Sequence, residues 1–490
     1  MTATSATHTV DDLRPERPNI CFIMTDQQRA DCLGVEGHPV VQTPTLDWLA
    51  STGYRFSSAY AACPICIPAR RTLMSGQRPA THRVLHNFGQ ALDAPTLPGC
   101  LTQAGYQTHL AGKLHLWPVR KNYGFEHMRL ADGPFGTPET SDYARMMNSH
   151  GLLHLQRNRA HGIAGNSWNA RPWHLDESLH QTNWVTDEAI DFIERRDPTR
   201  PFFLNVSYFY PHPPCTPPRV YYDRYMDMDL PDPIEAEWSH YHNTPSIGMH
   251  PNPPFGSTTR MKLTPQMLRQ FQAAYFGSIT HIDAQIQRIL VALPPNTIVA
   301  FCSDHGEMLG DHQFVGKQVP YEGSARVPLI VNIPGDKGDH DGETVINQPV
   351  ELMDLMPTFL DMAGGEVPDT VEGRSVMPLL RGEADDWRSY VHGEISGVAQ
   401  MDSGMQYLTD GQQKYVWWPA RGEEQLFDLA DDPQETRNLA GDASHADTLS
   451  RWRNRLIDEL RNRPEGFVAD DELVRLPGPT PRSFDQPASL

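Results

Sequence analysis

Four short apolar runs in this sequence each lead directly into residues that can bind a metal ion or carry a proton. In chain order these residues are Asp26 and Gln27, Lys113 and His115, His212, and Asp304 and His305. Ligands of open parallel sheets bind beyond the carboxyl ends of the strands, so side chains that follow such strands meet at one edge. A single Asp after a strand more often caps a helix or forms a turn. Four run ends with this chemistry together predict a functional site.

The oxygen-bearing members of this set indicate a hard divalent cation. Asp26 and Asp304 offer carboxylates, Gln27 offers an amide oxygen, and His305 adds a ring nitrogen. Carboxylate and amide oxygens suit Ca²⁺, Mg²⁺ or Mn²⁺, and the nitrogen leans toward Mn²⁺ or a mixed site. Zinc is not favoured, because no group of His and Cys residues has the spacing of a zinc site.

The densest chemical signal is the segment 63–71, which reads Cys-Pro-Ile-Cys-Ile-Pro-Ala-Arg-Arg. Its two cysteines have dithiol spacing, so a redox pair is one hypothesis. A zinc knuckle is excluded, because no second cysteine pair completes four ligands. In the third hypothesis Cys66 is the reactive residue and Cys63 only packs. Pro68 is tolerated in a first helical turn, so Cys66 would lie just before a helix. The free N–H groups of that helix end favour an anion, which Arg70 can also reach.

The pattern Cys66-x-Pro68-x-Arg70 resembles the signature of the type I sulfatases, members of the alkaline phosphatase superfamily. Further ordered matches extend over most of the chain, at Leu73, Ser75-Gly76 and residues 17–20, 43–47, 112–115, 211–213, 303–306, 316–317, 321–323, 326–328, 373–375, 426–429 and 432–439. In that family a formylglycine-generating enzyme oxidises the motif cysteine to formylglycine (3-oxoalanine), whose hydrated aldehyde is the nucleophile. A geminal diol is also an oxygen ligand suited to a hard cation, whereas a thiol is not.

The resemblance implies that Asp26, Asp304, His305 and the modified Cys66 bind the cation, with Gln27 in the remaining ligand position. The family's cation is usually calcium, and Mn²⁺ or Mg²⁺ are the alternatives. Most members have a second Asp where this chain has Gln27, and often Asn where it has His305. The Gln27 and His305 pair resembles a branch that includes phosphonate monoester hydrolases and promiscuous arylsulfatases. A phosphonate monoester or phosphodiester hydrolase is therefore the alternative function.

Catalytic roles in the family fall, besides Cys66, on residues that match Arg70, Lys113, His115, His212 and Lys317. Lys113 would bind sulfate and His115 would hydrogen-bond the diol, a pattern typical of sulfatases rather than of phosphonate hydrolases. Arg70, Lys113 and Lys317 would stabilise the charge on the transferring group, and His212 or Lys317 would protonate the leaving oxygen. Asn87 is a further substrate-binding candidate, together with Lys113, His212 and Lys317. The resemblance thus implies an arylsulfatase-like sulfuric ester hydrolase that releases sulfate and an alcohol or phenol.

The elements that must position these residues alternate in the manner of an α/β protein. Short apolar runs of the kind found in buried parallel strands occupy residues 19–24, 106–111, 202–207, 297–302 and 327–331. Helical patterns between them occupy residues 43–53, 97–105, 183–196 and 273–293. These patterns predict parallel strands in a doubly wound α/β sheet. The resemblance implies that residues 18–389 form a catalytic α/β domain with a large mixed, mostly parallel sheet sandwiched by helices, as in alkaline phosphatase. Two loop-rich segments, 117–182 and 211–262, are expected to set specificity.

The sequence pattern changes after about residue 390, from alternating strands and helices to consecutive short strands. Short strands at 406–409, 413–418 and 425–429 precede a helix over 446–463, whose apolar stripe is formed by Trp452, Leu456 and Leu460. A smaller α+β subdomain is therefore predicted over residues 390–475. The predicted tails are residues 1–17, taken as flexible, and 476–490, taken as irregular.

The composition excludes some partners. Lys and Arg total 41 against 61 Asp and Glu, so the formal net charge is −20. Such acidity opposes binding to nucleic acid or to an anionic membrane, and a site for an anionic ester must reverse the field locally. No apolar run reaches roughly 18 residues, and the first residues lack the apolar core of a secretory signal. We therefore expect a cytoplasmic protein that takes a small sulfated substrate, with a homo-oligomer as one possible assembly.

Overall fold

The computed structural model describes most of the chain. The described residues are 17–132, 136–155, 168–240, 258–260, 263–335, 344–396 and 404–477. The predicted tails, 1–17 and 476–490, lie almost entirely outside these residues. The segments 117–182 and 211–262 are described only in part, so their role in specificity stays a prediction.

The secondary structure alternates strands and helices through residue 380 and then changes to antiparallel strands followed by a helix. The strands are β1 Asn19–Asp26, β2 Tyr54–Phe56, β3 Ala59–Tyr60, β4 Gln107–Gly112, β5 His127–Leu130, β6 Phe202–Pro211, β7 Thr258–Arg260, β8 Thr297–Ser303, β9 Phe314–Gly316, β10 Leu329–Asn332, β11 Thr344–Ile346, β12 Val350–Glu351, β13 Val391–Ile395, β14 Met405–Thr409, β15 Gln413–Trp418, β16 Glu423–Asp428, β17 Val468–Ala469 and β18 Glu472–Leu473. The helices are α1 Pro44–Ser51, α2 Cys66–Ser75, α3 Pro79–His82, α4 Leu97–Gln103, α5 Asp142–Ser149, α6 Gln181–Arg195, α7 Arg219–Met226, α8 Pro265–Ala292, α9 Glu322–Ala325, α10 Leu355–Ala363, α11 Met377–Leu380 and α12 Ala446–Leu460.

An eight-stranded sheet forms the centre of the molecule, in the order β11-β2-β10-β8-β1-β6-β4-β5. Strand β1 pairs in parallel with both β6 and β8, and β4 pairs in parallel with β5 and β6. Both faces of β1 are buried. Ile20, Phe22 and Met24 face the core beneath α2, α4 and α10, whereas Cys21 and Ile23 face the core beneath α1, α6 and α8. The predicted mixed, mostly parallel sheet between helix layers is confirmed.

One predicted strand runs in the opposite direction to the expected one. The run 327–331 was expected to be parallel, but β10 pairs antiparallel with both β8 and β2. Its first residue, Leu329, lies opposite Cys302 near the end of β8. The connection between β8 and β10 therefore stays at the carboxyl edge of the sheet, and a parallel strand would need a crossover back to the other edge.

Helix α8 begins eight residues before the periodic segment that was predicted from Ala273. The side chain of Thr264 accepts a hydrogen bond from the backbone N–H of Met267, and Pro265 occupies the first turn. These are the standard start signals of a helix, and they precede the apolar stripe. None of the helices in the described residues is long and apolar enough to cross a membrane.

The C-terminal part contains a separate four-stranded antiparallel sheet, β13-β14-β15-β16. Trp452, Leu456 and Leu460 of α12 pack on one face of this sheet, as the predicted stripe requires. The other face packs against the main domain. The fully buried Lys414 on β15 donates to Glu322 of α9 at 2.7 Å and to Glu435 at 2.8 Å. The predicted smaller α+β unit is therefore present and joined to the main domain by a buried ion-pair cluster.

Candidate active site

The polar residues that follow β1, β4, β6 and β8 meet in one buried pocket at the carboxyl edge of the sheet. Asp26 ends β1 and Asp304 follows β8, and neither carboxylate is exposed to solvent. Lys113 follows β4 and donates to Asp26. Gly112 lets the end of β4 lie against Ser207 of β6, because it has a φ of 115° and an added Cβ would lie 2.0 Å from the Ser207 carbonyl oxygen. The predicted convergence of these strand ends is therefore observed.

Cys66 is the first residue of α2, so the helix that Pro68 predicted begins one residue earlier than expected and includes Cys66. The residue before the helix is Ile65, whose side chain makes no capping hydrogen bond. The cap comes instead from Asn87, whose Oδ1 accepts a hydrogen bond from the Ile67 N–H at 2.9 Å. The buried Sγ of Cys66 therefore lies at a helix N-terminus, where the aligned peptide dipoles favour negative charge.

Arg70, one turn further along α2, joins the two buried carboxylates. Its Nε donates to Asp304 at 2.8 Å and its Nη2 donates to Asp26 at 3.2 Å. Its Nη1 donates to the Ser207 hydroxyl and to the Lys113 carbonyl, each at 3.0 Å. The guanidinium is thus occupied mainly by protein acceptors, and it holds the carboxylates in place.

Three cationic or partly cationic groups surround the Cys66 sulfur. Lys317 Nζ lies 3.4 Å and His305 Nε2 lies 3.2 Å from Sγ, and Lys113 is close by. Burial alone would raise the pKa of the Cys66 thiol, but the charges of Lys317, Lys113 and His305 hold that pKa well below its usual range. The pocket therefore stabilises a negative charge at the position of Cys66 Sγ.

The histidines of the pocket have different protonation tendencies. Burial and the nearby Lys317 lower the pKa of His212 to about 4, so its ring is neutral at pH 7. Its Nδ1 lies 2.6 Å from the Pro213 carbonyl, which it contacts as a donor. Burial acts to lower the pKa of His305, but the Asp304 carboxylate outweighs it and raises that pKa. His115 also hydrogen-bonds the Cys66 thiol, and its backbone N–H donates to Asp132.

Four buried side chains are close enough together to hold one divalent metal ion. Ligand atoms of Asp26, Cys66, Asp304 and His305 all lie within 4.8 Å of one another, and all four residues are buried. The Nδ1 of His305 contacts the Gly306 carbonyl at 3.0 Å, which leaves its Nε2 directed toward Cys66 and available as a ligand. Two buried carboxylates this close repel each other, so burial and Asp26 raise the pKa of Asp304. A bound cation would relieve that repulsion.

The structure adds site residues that the sequence patterns did not single out. Glu307 is fully buried and accepts hydrogen bonds from the Gln27 side-chain amide and from the Leu309 and Gly316 N–H groups. Ser207 binds Arg70, and Asp132 binds the backbone at residues 114 and 115. Of these three residues, only Ser207 could have been found from the sequence, because it lies near the end of a predicted strand. No motif or spacing marks Glu307 or Asp132.

The structure favours separate roles for Cys63 and Cys66 over the dithiol hypothesis. All seven cysteines are described and all are free. The Cys63 thiol contacts the Leu85 carbonyl at 3.8 Å, and burial raises its pKa, in contrast to that of Cys66. Cys63 is therefore a packed core residue.

Asn87 was predicted to contact substrate, and its side chain in the structure caps the helix that carries Cys66. We expect Asn87→Ala to lower the free energy of unfolding by about 1 kcal/mol, because the Ile67 N–H loses its acceptor. Urea unfolding checks this, with Asn87→Asp as the control that keeps an acceptor oxygen. Unchanged stability together with a raised KM would instead support substrate contact.

A buried cysteine at a helix N-terminus, beside a group of possible metal ligands at the carboxyl edge of a helix-covered sheet, is the arrangement that the resemblance to the alkaline phosphatase superfamily implied. The sequence model of the family described as Sulfatase matches residues 18–365. A second model, described as N-sulphoglucosamine sulphohydrolase, C-terminal, matches residues 310–462. The chain belongs to the sulfatase family.

Relatives with known names agree with this assignment. An arylsulfatase of Clostridium perfringens is 39% identical, over 94% of this chain and 98% of the relative. A choline-sulfatase of Rhizobium meliloti is 30% identical, over 86% of this chain and 82% of the relative. The crystal structure of a phosphonate monoester hydrolase of Agrobacterium radiobacter has a TM-score of 0.77 and 27% identity, over 90% of this chain and 95% of that chain. The matches therefore include both the sulfatases and the alternative branch.

Proposed function

We propose that this protein hydrolyses a sulfate ester to inorganic sulfate and an alcohol or phenol. The observation that carries the proposal is the position of Cys66. Its buried Sγ lies at the N-terminus of α2, 3.4 Å from Lys317 Nζ and 3.2 Å from His305 Nε2. An anion at this position is stabilised by the helix end and by the lysines, as attack on an anionic ester requires.

We propose that the protein becomes active only after Cys66 has been modified and a divalent cation has been bound. A formylglycine-generating enzyme converts Cys66 to formylglycine, which supplies an oxygen nucleophile at the position of Sγ. A divalent cation, Ca²⁺ in the first instance, is held by Asp26, Gln27, Asp304 and His305, and it would polarise the oxygens of the ester group. The carboxylates and the amide favour such a hard cation, and the fit of the buried donor set supports it.

The remaining residues of the pocket bind the ester and move protons. Lys113 and Lys317 bind and stabilise the anionic group, and His115 hydrogen-bonds the nucleophile. Protonation of the leaving oxygen falls to Lys317 rather than to His212. Burial lowers the pKa of His212 to about 4, so at pH 7 this ring has no proton to give from its free nitrogen. His212 then acts as an acceptor that orients the nucleophile.

The charges of the pocket match one small anionic ester. Arg70, Lys113 and Lys317 offset the carboxylates of Asp26, Asp304 and Glu307, so the side chains alone are balanced. A bound divalent cation would therefore leave a net charge of +2. This matches the two negative charges carried by one sulfate monoester and one deprotonated nucleophile. The pocket thus reverses the acidic field of the chain locally.

A phosphonate monoester or phosphodiester hydrolase is the second candidate function. It is favoured by Gln27 and His305, the pair that resembles the phosphonate branch, and by the likeness to a phosphonate monoester hydrolase structure. A phosphonate monoester carries the same single charge as a sulfate monoester, so the charge balance does not separate the two. Lys113 and His115, which follow the sulfatase pattern, make sulfate the first choice.

We expect kcat/KM for an aryl sulfate to exceed that for the matched aryl phosphonate by at least about tenfold. The protein is made together with a formylglycine-generating enzyme, and mass spectrometry of the Cys66 peptide reports its conversion. Treatment with a chelator should abolish both rates, and added Ca²⁺ should restore them. A higher kcat/KM for the phosphonate would support the second function, and full activity with an unmodified thiol would contradict the proposed nucleophile.

A further inference from the structure

The side-chain amide of Gln27 is held between two opposite charges. Its Oε1 accepts a hydrogen bond from Lys317 Nζ, and its Nε2 donates to Glu307 Oε2. All three residues are at most 2% exposed. Gln27 itself has a φ of 70°, and its backbone N–H donates to Asp304 Oδ1 at 3.1 Å, so its main chain is also tied to the site.

These two partners leave only one orientation for the amide. A flipped amide would place its NH₂ group against the Lys317 ammonium and its oxygen against the Glu307 carboxylate, in two repulsive contacts. Glu307 cannot turn away, because its Oε1 is held by the N–H groups of Leu309 and Gly316. The amide oxygen is therefore directed to the Lys317 side of the pocket, where Cys66 lies 3.4 Å from the lysine nitrogen.

A carboxylate at position 27 would not need this control, because its two oxygens are equivalent ligands. An amide has only one oxygen that can bind a cation, and its NH₂ group would repel one. A chain with glutamine at this position thus needs a fixed acceptor for the amide nitrogen.

We propose that Glu307 is a positioning residue that fixes the Gln27 amide with its oxygen toward the cation. It acts through Gln27 and does not itself touch the cation or substrate. This inference rests on the cation site of the proposed function, and it assigns a task to a buried carboxylate that the catalytic steps do not use.

The test is direct metal binding to the full chain after chelator treatment, followed by calorimetric titration with Ca²⁺ and separately with Mn²⁺. We expect Glu307→Gln to raise the Kd for the metal by about 10- to 100-fold. In this variant the oxygen of the amide at position 307 accepts hydrogen bonds from the Leu309 and Gly316 N–H groups. Its NH₂ group then faces Gln27 and needs an acceptor there. The Gln27 amide must therefore flip to present its oxygen, which turns its own NH₂ group toward Lys317. The double variant with Gln27→Glu and Glu307→Gln should restore the wild-type Kd or better, because the carboxylate at position 27 accepts from both neighbours.

Asp311→Asn is the matched control. It also neutralises a buried carboxylate of the same segment, one that binds Arg29 at 2.6 Å, and we expect the metal Kd to stay within about twofold. A wild-type Kd in Glu307→Gln, or a weakened Kd that the double variant does not restore, would overturn the inference. A wild-type protein that binds neither cation would instead contradict the metal site of the proposed function.

Discussion

The Cys66→Ala variant is expected to lose at least about 10⁴-fold in kcat/KM on its sulfate ester, while its fold is retained. Alanine at position 66 offers neither a thiol nor a site for formylglycine, so no nucleophile remains in the pocket. The backbone of α2 needs no side-chain contact from residue 66, because its first turn is capped by Asn87. Kinetics of the variant against wild-type protein made with the formylglycine-generating enzyme, with circular dichroism and urea unfolding of both, measure the two effects separately.

Cys63→Ala is the matched control for this prediction. Cys63 lies three residues earlier, is equally buried and packs in the cluster beneath the C-terminal sheet. We expect its activity to stay within about twofold and its stability to fall by about 1 kcal/mol, because only a small buried group is removed. Near-wild-type activity in Cys66→Ala, or equal loss in both variants, would show that the nucleophile is wrongly assigned.

The Arg70→Met variant is expected to be less stable by about 3–5 kcal/mol in the absence of divalent cation, and to lose activity. Arg70 is 1% exposed and contacts two carboxylates that are not exposed at all. Methionine fills a similar volume but leaves Asp304 without its 2.8 Å partner and Asp26 without its 3.2 Å contact to the guanidinium. Urea unfolding of chelator-treated protein at pH 7 measures the loss without compensation by a metal.

Arg70→Lys separates the charge from the geometry. A lysine retains the positive charge but cannot contact both carboxylates, Ser207 and the Lys113 carbonyl in the way the guanidinium does. We expect an intermediate stability and an activity well below that of the wild type. If Arg70→Met unfolded at the same urea concentration as the wild type, the carboxylates would not depend on Arg70 as the contacts indicate.

The buried pocket also explains how an acidic protein can take an anionic substrate. A formal charge of −20 describes the whole chain, and charges on the solvent side are screened by salt. Inside the pocket Lys317 lies 3.4 Å from the Cys66 sulfur at the N-terminus of α2, and Lys113 adds a second positive charge nearby. The local field therefore allows an anionic ester to bind, and the global charge mainly disfavours polyanions.

Local sequence determined the elements of this protein and most of the residues of its site. The apolar run before Asp26 and the spacing of Cys66, Pro68 and Arg70 depend on neighbours within a few residues, so a strand end and a helix start could be predicted. The stripe of α12 and the mostly parallel sheet followed from periodicity in the same way. Because these interactions join residues that are close together in the chain, local sequence patterns are enough to predict them.

Only the tertiary structure decided the direction of β10, the capping role of Asn87 and the contacts of Glu307. The hydrogen bond between Gln27 and Glu307 joins residues 280 positions apart, and the Arg70 to Asp304 bond joins residues 234 apart. No local pattern specifies such pairs, because they depend on how the strands are ordered and on which loops stay at the carboxyl edge. The sequence therefore supplied the polar groups of the site, whereas packing decided which carboxylates bind Arg70 and which one binds the Gln27 amide.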